Sequence, residues 1–119
     1  MTASDTEDRR RFAERVLERM QEVAPVTSRA MFGGHGFYLD GAMFALGAYG
    51  TLYFKVDDHT RRDYEASGCG PFVYEGRGKP IEMSYYELPA EVWADVDALD
   101  AWLHAAHAAA VRAKSQRRR

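Results

Sequence analysis

MFGGHGFYLDGAMFAL, residues 31–46, decides the fold. Asp40-Gly41 sits between two runs of aromatic and aliphatic residues, and both residue types tolerate the positive φ that a two-residue type I′ turn demands. The stretch therefore reads as a hairpin, with Leu39 facing Ala42, Tyr38 facing Met43, Phe37 facing Phe44 and His35 facing Leu46. Side chains alternate along a strand. This register puts Phe37, Leu39, Phe44 and Leu46 on one face and Tyr38, Met43 and Ala45 on the other. Gly33-Gly34 interrupts the preceding strand, Val26 to Met31.

Working outward, Gly47 to Gly50 marks the next turn. A three-residue loop, Ala48-Tyr49-Gly50, is expected, because an odd count carries Leu52, Phe54 and Val56 onto the face of Phe37 and Phe44. Gly50 then takes the left-handed conformation. Tyr53 and Lys55 join Tyr38 and Met43 opposite.

Upstream, Ser4-Asp5-Thr6-Glu7 has the capping-box pattern, and Phe12, Val16, Leu17, Met20 and Val23 recur at helical spacing. A helix is expected from about Asp5 to Val23, ended by Pro25. Downstream, Asp57-Asp58 offers a cap for a short helix, His59 to Ala66, stopped by Ser67-Gly68. Two strands follow, Pro71 to Glu75 and Met83 to Leu88. A long helix then starts at Asp95 or Asp97 and runs through Val111. The expected class is α+β: two layers, with a mainly antiparallel sheet of five to six strands flanked by N- and C-terminal helices plus one short helix.

The 119 residues suit a single domain, 1–119, with frayed ends at about 1–4 and 113–119. A 46% hydrophobic content is globular composition, and a formal net charge of −2 speaks against nucleic-acid binding by the domain as a whole. One cysteine, Cys69, favours a reducing compartment. The charged N-terminus has no apolar signal region, and no apolar run approaches the roughly 20 residues of a membrane helix. A soluble cytoplasmic protein without membrane contact is expected.

Candidate chemistry is sparse, and we expect no catalytic residue, no metal site and no cofactor. Gly33-Gly34-His35-Gly36 precedes a strand, whereas a phosphate cradle precedes a helix. Gly76-Arg77-Gly78-Lys79 lacks Walker spacing. His104 and His107 lack a third ligand nearby. Cys69 has no base beside it in sequence, although His35 or His59 could approach in space. The face carrying Tyr38, Met43, Tyr53, Lys55 and Tyr85 is the candidate partner-binding surface, since an aromatic, partly apolar sheet face suits a protein interface. Arg29 and Arg61 have no folding role visible in the sequence. The basic tail, Arg112 to Arg119, and the arginines of the first helix form an alternative, DNA-contacting surface.

MFGGHGFYLDGAMFAL, LYFKVDDHTRRDYEASG (52–68) and PFVYEGRGKPIEMSYYELP (71–89) together resemble the N-terminal domain of the TfoX/Sxy family. The resemblance runs from Phe12 to Val111. It implies an α+β domain similar to secretion-chaperone-like folds, and a bacterial regulator linked to competence and transcription. It supplies no catalytic residue. Larger members carry a C-terminal helical domain. Here the chain stops soon after Val111, so a stand-alone N-terminal domain is expected. The reading at this point is a non-enzymatic module that binds another protein, with homodimerisation left open. The alternatives are a DNA-binding regulator and a small-ligand binder or enzyme built near Gly33–Gly36 and Cys69.

Overall fold

The computed structural model describes residues 3–31, 33–76 and 78–117. Phe32 of the opening motif, Arg77 of the glycine-rich loop, and Arg118 and Arg119 of the basic tail lie outside the described residues, as do the side chains of Ser4 and Asp5 in the capping pattern. The chain forms α1 (Ala3–Met20), β1 (Thr27–Met31), β2 (Gly34–Leu39), β3 (Ala42–Ala48), β4 (Thr51–Lys55), α2 (Arg61–Ala66), β5 (Pro71–Glu75), β6 (Pro80–Glu87), α3 (Ala90–Ala94) and α4 (Val96–Arg117). The strands make one antiparallel sheet in the order β1-β2-β3-β4-β6-β5. The class is α+β, as the sequence predicts. Two short helices are present rather than one, because Pro89 ends β6 and then opens α3. Helix α4 continues past Val111 to Arg117.

Asp40 and Gly41 have φ of 50° and 79°, the two positive values of the expected turn. Leu39 faces Ala42 and Tyr38 faces Met43, as read from the sequence. The register then slips. Phe37 faces Ala45 and His35 faces Gly47, so Phe44 is an extra residue in β3. At such a bulge two neighbouring residues can turn to one face. Phe44 and Ala45 are both 0% exposed, and the expected assignments of Ala45 and Leu46 are exchanged: Ala45 lies in the core and Leu46 on the outer face.

The following turn also differs from expectation. It has two central residues, Tyr49 and Gly50, at φ of 53° and 74°, and it pairs Ala48 with Thr51 and Gly47 with Leu52. An even loop alone would turn Leu52 and Phe54 away from the core. The bulge upstream contributes a second one-residue shift, the two cancel, and both side chains are buried. Ala45 and Leu46, between the two shifts, are the pair that changes face.

All four helices lie on the inner face. Helix α1 packs on β1 and β2, α4 on β3 and β4, and α2 on β6. Met20, Val26, Phe37, Phe44, Phe54, Val56, Leu99 and Leu103 are the largest fully buried side chains. Phe44 and Phe54 meet edge to face, with centroids 5.6 Å apart. Arg19 donates from Nε and Nη2 to the Trp93 carbonyl at 3.3 and 2.9 Å, tying α1 to α3. The Asp95 carboxylate accepts from the Asp97 and Ala98 N–H groups, which identifies Asp95 as the cap of α4.

Candidate interaction face

With the helices on one side, the outer face of the sheet carries Arg29 and Met31 from β1, Gly36 and Tyr38 from β2, and Met43 and Leu46 from β3. Tyr53 and Lys55 of β4 and Tyr85 of β6 continue it. The sequence-selected residues Tyr38, Met43, Tyr53, Lys55 and Tyr85 all stand there, each half-buried among its neighbours.

The main hollow on this face has a volume of about 390 Å³. Met31, Met43, Leu46, Phe72, Tyr74, Met83 and Tyr85 supply most of its apolar lining. Across six flat strands the edges would stand about 24 Å apart. A hollow lined from both edge strands, by Met31 of β1 and by Phe72 and Tyr74 of β5, therefore requires a sheet curled toward its outer side. Two bulges provide the bend: the one at Phe44, and a register shift between Pro71 and Val73 in β5.

Glycines make room in the hollow. A Cβ on Gly36 would lie 2.9 Å from Met31 Cε and 2.9 Å from Met43 Sδ, so its absence lets the two methionines meet above β2. A Cβ on Gly34 would lie 2.4 Å from the Gly47 carbonyl oxygen, so β2 and β3 can approach here only without a side chain. The glycines read from the sequence as a bend thus serve close packing between strands. Aromatic rings extend the apolar surface to the β5 edge. Phe72 stacks with Tyr49 at 6.5 Å and meets Tyr53 edge to face at 5.1 Å.

A second hollow, of about 340 Å³, adjoins the first through the shared residues Met43 and Tyr85. Tyr38, Gly41, Lys55, Ala110 and Lys114 also line it, so the C-terminal part of α4 flanks the Asp40-Gly41 end of the sheet. Lys55 donates to the Ser84 hydroxyl and lies 5.2 Å from the Tyr85 ring centroid. The Tyr85 hydroxyl donates to the Met43 carbonyl at 3.4 Å. Arg29, which had no role in the sequence, lies 5.4 Å over the Tyr38 ring. Arg61 pairs with Asp58 at 2.8 Å, three residues back, which accounts for it locally.

The other sequence candidates stand apart from this face. The Cys69 thiol is pushed up by burial and by Glu87 and Glu91, the reverse of what a nucleophilic thiolate needs. His104 accompanies Asp100, with Nδ1 at 3.0 Å from Oδ1, while His107 Nε2 is buried without a hydrogen bond. Among the described residues no three His, Cys, Asp or Glu side chains gather as a metal site. In α1, Arg10 pairs with Glu14, Arg11 with Glu7 and Arg19 with Glu22. In the tail, Arg112 binds Asp57 at 2.6 Å. No described helix is long and apolar enough to cross a membrane. The sequence signals that mattered most and were missed are Met31, Leu46, Phe72, Tyr74 and Met83. Phe72 and Met83 sit in the quoted motifs, but their convergence depends on the order β4-β6-β5.

The family model of the TfoX N-terminal domain matches residues 18–110, which span α1's last turn through most of α4. The chain belongs to the TfoX N-terminal domain family. It is similar to the DNA transformation protein TfoX1 of Aliivibrio fischeri, with 27% identity over 75 residues. That match covers 63% of this chain and 36% of the relative, so the chain spans well under half the length of that protein. The matched region of the TfoX N-terminal domain contains every strand and therefore the whole outer face.

Proposed function

We propose that this domain is a non-enzymatic regulatory module that works by holding another protein on the outer face of its sheet. One observation carries the reading: three methionines, three tyrosines, a phenylalanine and a leucine line a single hollow, on a face that the helix layer leaves uncovered. Methionine suits such a surface, because its flexible, polarisable side chain adapts to varied apolar partners. The name of the Aliivibrio fischeri relative supports placing the module in the regulation of DNA transformation. The paired arginines of α1 and the net charge of −2 favour a protein partner over DNA.

A photo-crosslinking residue placed at Met83, with one at Arg10 on α1 for comparison, tests this in bacterial lysate. Discrete protein adducts at position 83 and none at position 10 are expected. An absence of protein adducts at position 83, or the same adducts at both, overturns the reading.

A further inference from the structure

Taking the outer face as the binding surface, we infer that its occupant is an acidic amphipathic segment of a partner protein. Its large apolar side chains fill the methionine-lined hollow, and its carboxylates lie against Lys55 and Lys114. Charge is distributed unevenly along the face. Among the described residues the apolar hollow has no charged lining residue. The hollow that continues it through Met43 and Tyr85 has two, Lys55 and Lys114, and both are cationic. Arg29, over the Tyr38 ring of that second hollow, adds a third positive charge on the outer face. No acidic side chain lines either hollow among the described residues, in a chain whose formal net charge is −2. The positive end is thus local and set against the balance of the molecule.

Apolar and basic parts are contiguous, so a single segment can engage both. Apolar anchors at helical spacing supply contact area in the curled hollow. Carboxylates placed at one end then meet the lysines, and a segment with cations there meets like charge. Opposite charge at the rim sets orientation and selectivity, while the methionines and aromatics supply most of the contact.

The test uses three fluorescein-labelled model helices and fluorescence anisotropy on the full chain. The first has a Leu/Phe face with Glu at one end. The second is its twin with Lys for Glu. The third keeps Glu and replaces Leu and Phe by Ser. The first should bind about tenfold more tightly than the second, and the third should not bind. The preference should shrink as salt is raised. The double variant Lys55→Glu, Lys114→Glu should reverse the preference between Glu and Lys helices. Met43→Glu should remove binding of both, with circular dichroism confirming that each variant is folded.

Equal binding of the Glu and Lys helices overturns the acidic assignment, as does no binding of either. Self-association in sedimentation that Met43→Glu abolishes, with no helix bound, assigns the face to a second copy and also overturns it. Failure here with protein adducts still forming at position 83 leaves the protein-binding reading standing. Loss of both removes the reading itself.

Discussion

Leu46 and Ala45 are neighbours whose roles the β3 bulge exchanges, and replacing each in turn measures that exchange. Leu→Ala in a sealed core costs about 2–5 kcal/mol, because transfer and cavity terms add. Leu46 is half-buried in a hollow open to solvent, so only part of the transfer term applies and no sealed cavity forms. About 1 kcal/mol is expected for Leu46→Ala. Ala45 is 0% exposed and faces Phe37 on one side and Phe54 on the other, both also 0% exposed. Three added carbons in Ala45→Leu have nowhere to go, and overpacking of this kind costs about 1–3 kcal/mol. Urea unfolding followed by circular dichroism reads the two directly. With a slope of about 1.5 kcal/mol per molar, Leu46→Ala should lower the midpoint by about 0.7 M and Ala45→Leu by about 0.7–2 M. Had the hairpin kept the unbulged register, Leu46→Ala would lower the midpoint by about 1.3–3.3 M and Ala45→Leu would change it almost not at all. That order of effects would refute the bulge and the face assignment built on it.

Three further outcomes follow from individual contacts. Gly34→Ala sets a Cβ 2.4 Å from a backbone oxygen that cannot swing aside, and should lower stability by about 2 kcal/mol or more in the same urea assay. The Arg112 guanidinium holds the Asp57 carboxyl below the usual carboxylate range, so the pair stabilises the fold above that range and its contribution disappears as pH falls through the lowered value. Asp57→Asn should therefore cost about 1 kcal/mol at pH 7 and nothing at strongly acid pH; an equal cost at both contradicts the ion pair's role. Cys69 should react with a disulfide reagent at pH 7 more slowly than a model cysteine peptide, because burial, Glu87 and Glu91 all oppose its thiolate; a faster reaction would reopen a nucleophilic role.

The hairpin at Asp40-Gly41 is written plainly in the chain, because both turn residues are of the types that accept positive φ. The second turn is not. Tyr49 takes φ of 53° while 90% exposed, and its ring lies along Phe72, a contact between a turn and a distant edge strand that no local pattern announces. Parity reasoning placed Leu52 and Phe54 correctly through an odd loop, whereas the chain reaches the same faces by an even loop and a bulge. Bulges leave little local trace, since Phe44 and Ala45 are both apolar and fit either face. Tyr38, Met43, Tyr53 and Lys55 could be grouped from alternation along consecutive strands, while the choice between Tyr85 and Tyr86 needed the pairing of β6 with β4. Met31, Phe72, Tyr74 and Met83 could not, because α2 carries the chain away before β6 returns beside β4 and leaves β5 at the edge. The cap of α4 was narrowed to Asp95 or Asp97, with the hydrogen bonds selecting Asp95, and the brief helix α3 before it was not legible, being only one turn opened by Pro89.

The bulge at Phe44 and the short turn at Tyr49-Gly50 act together as a reading frame for the sheet. Inserting or deleting one residue between Phe37 and Leu52 would leave β1 and β2 as they are and turn β4 inside out, along with β6 and β5 which hang from it. A lineage can cross between frames only by paired changes, one opening or closing the bulge and the other lengthening or shortening the turn. Gaps in this stretch among related chains should accordingly come in compensating pairs, and a domain carrying an unpaired gap should have lost the frame on which its second half is built.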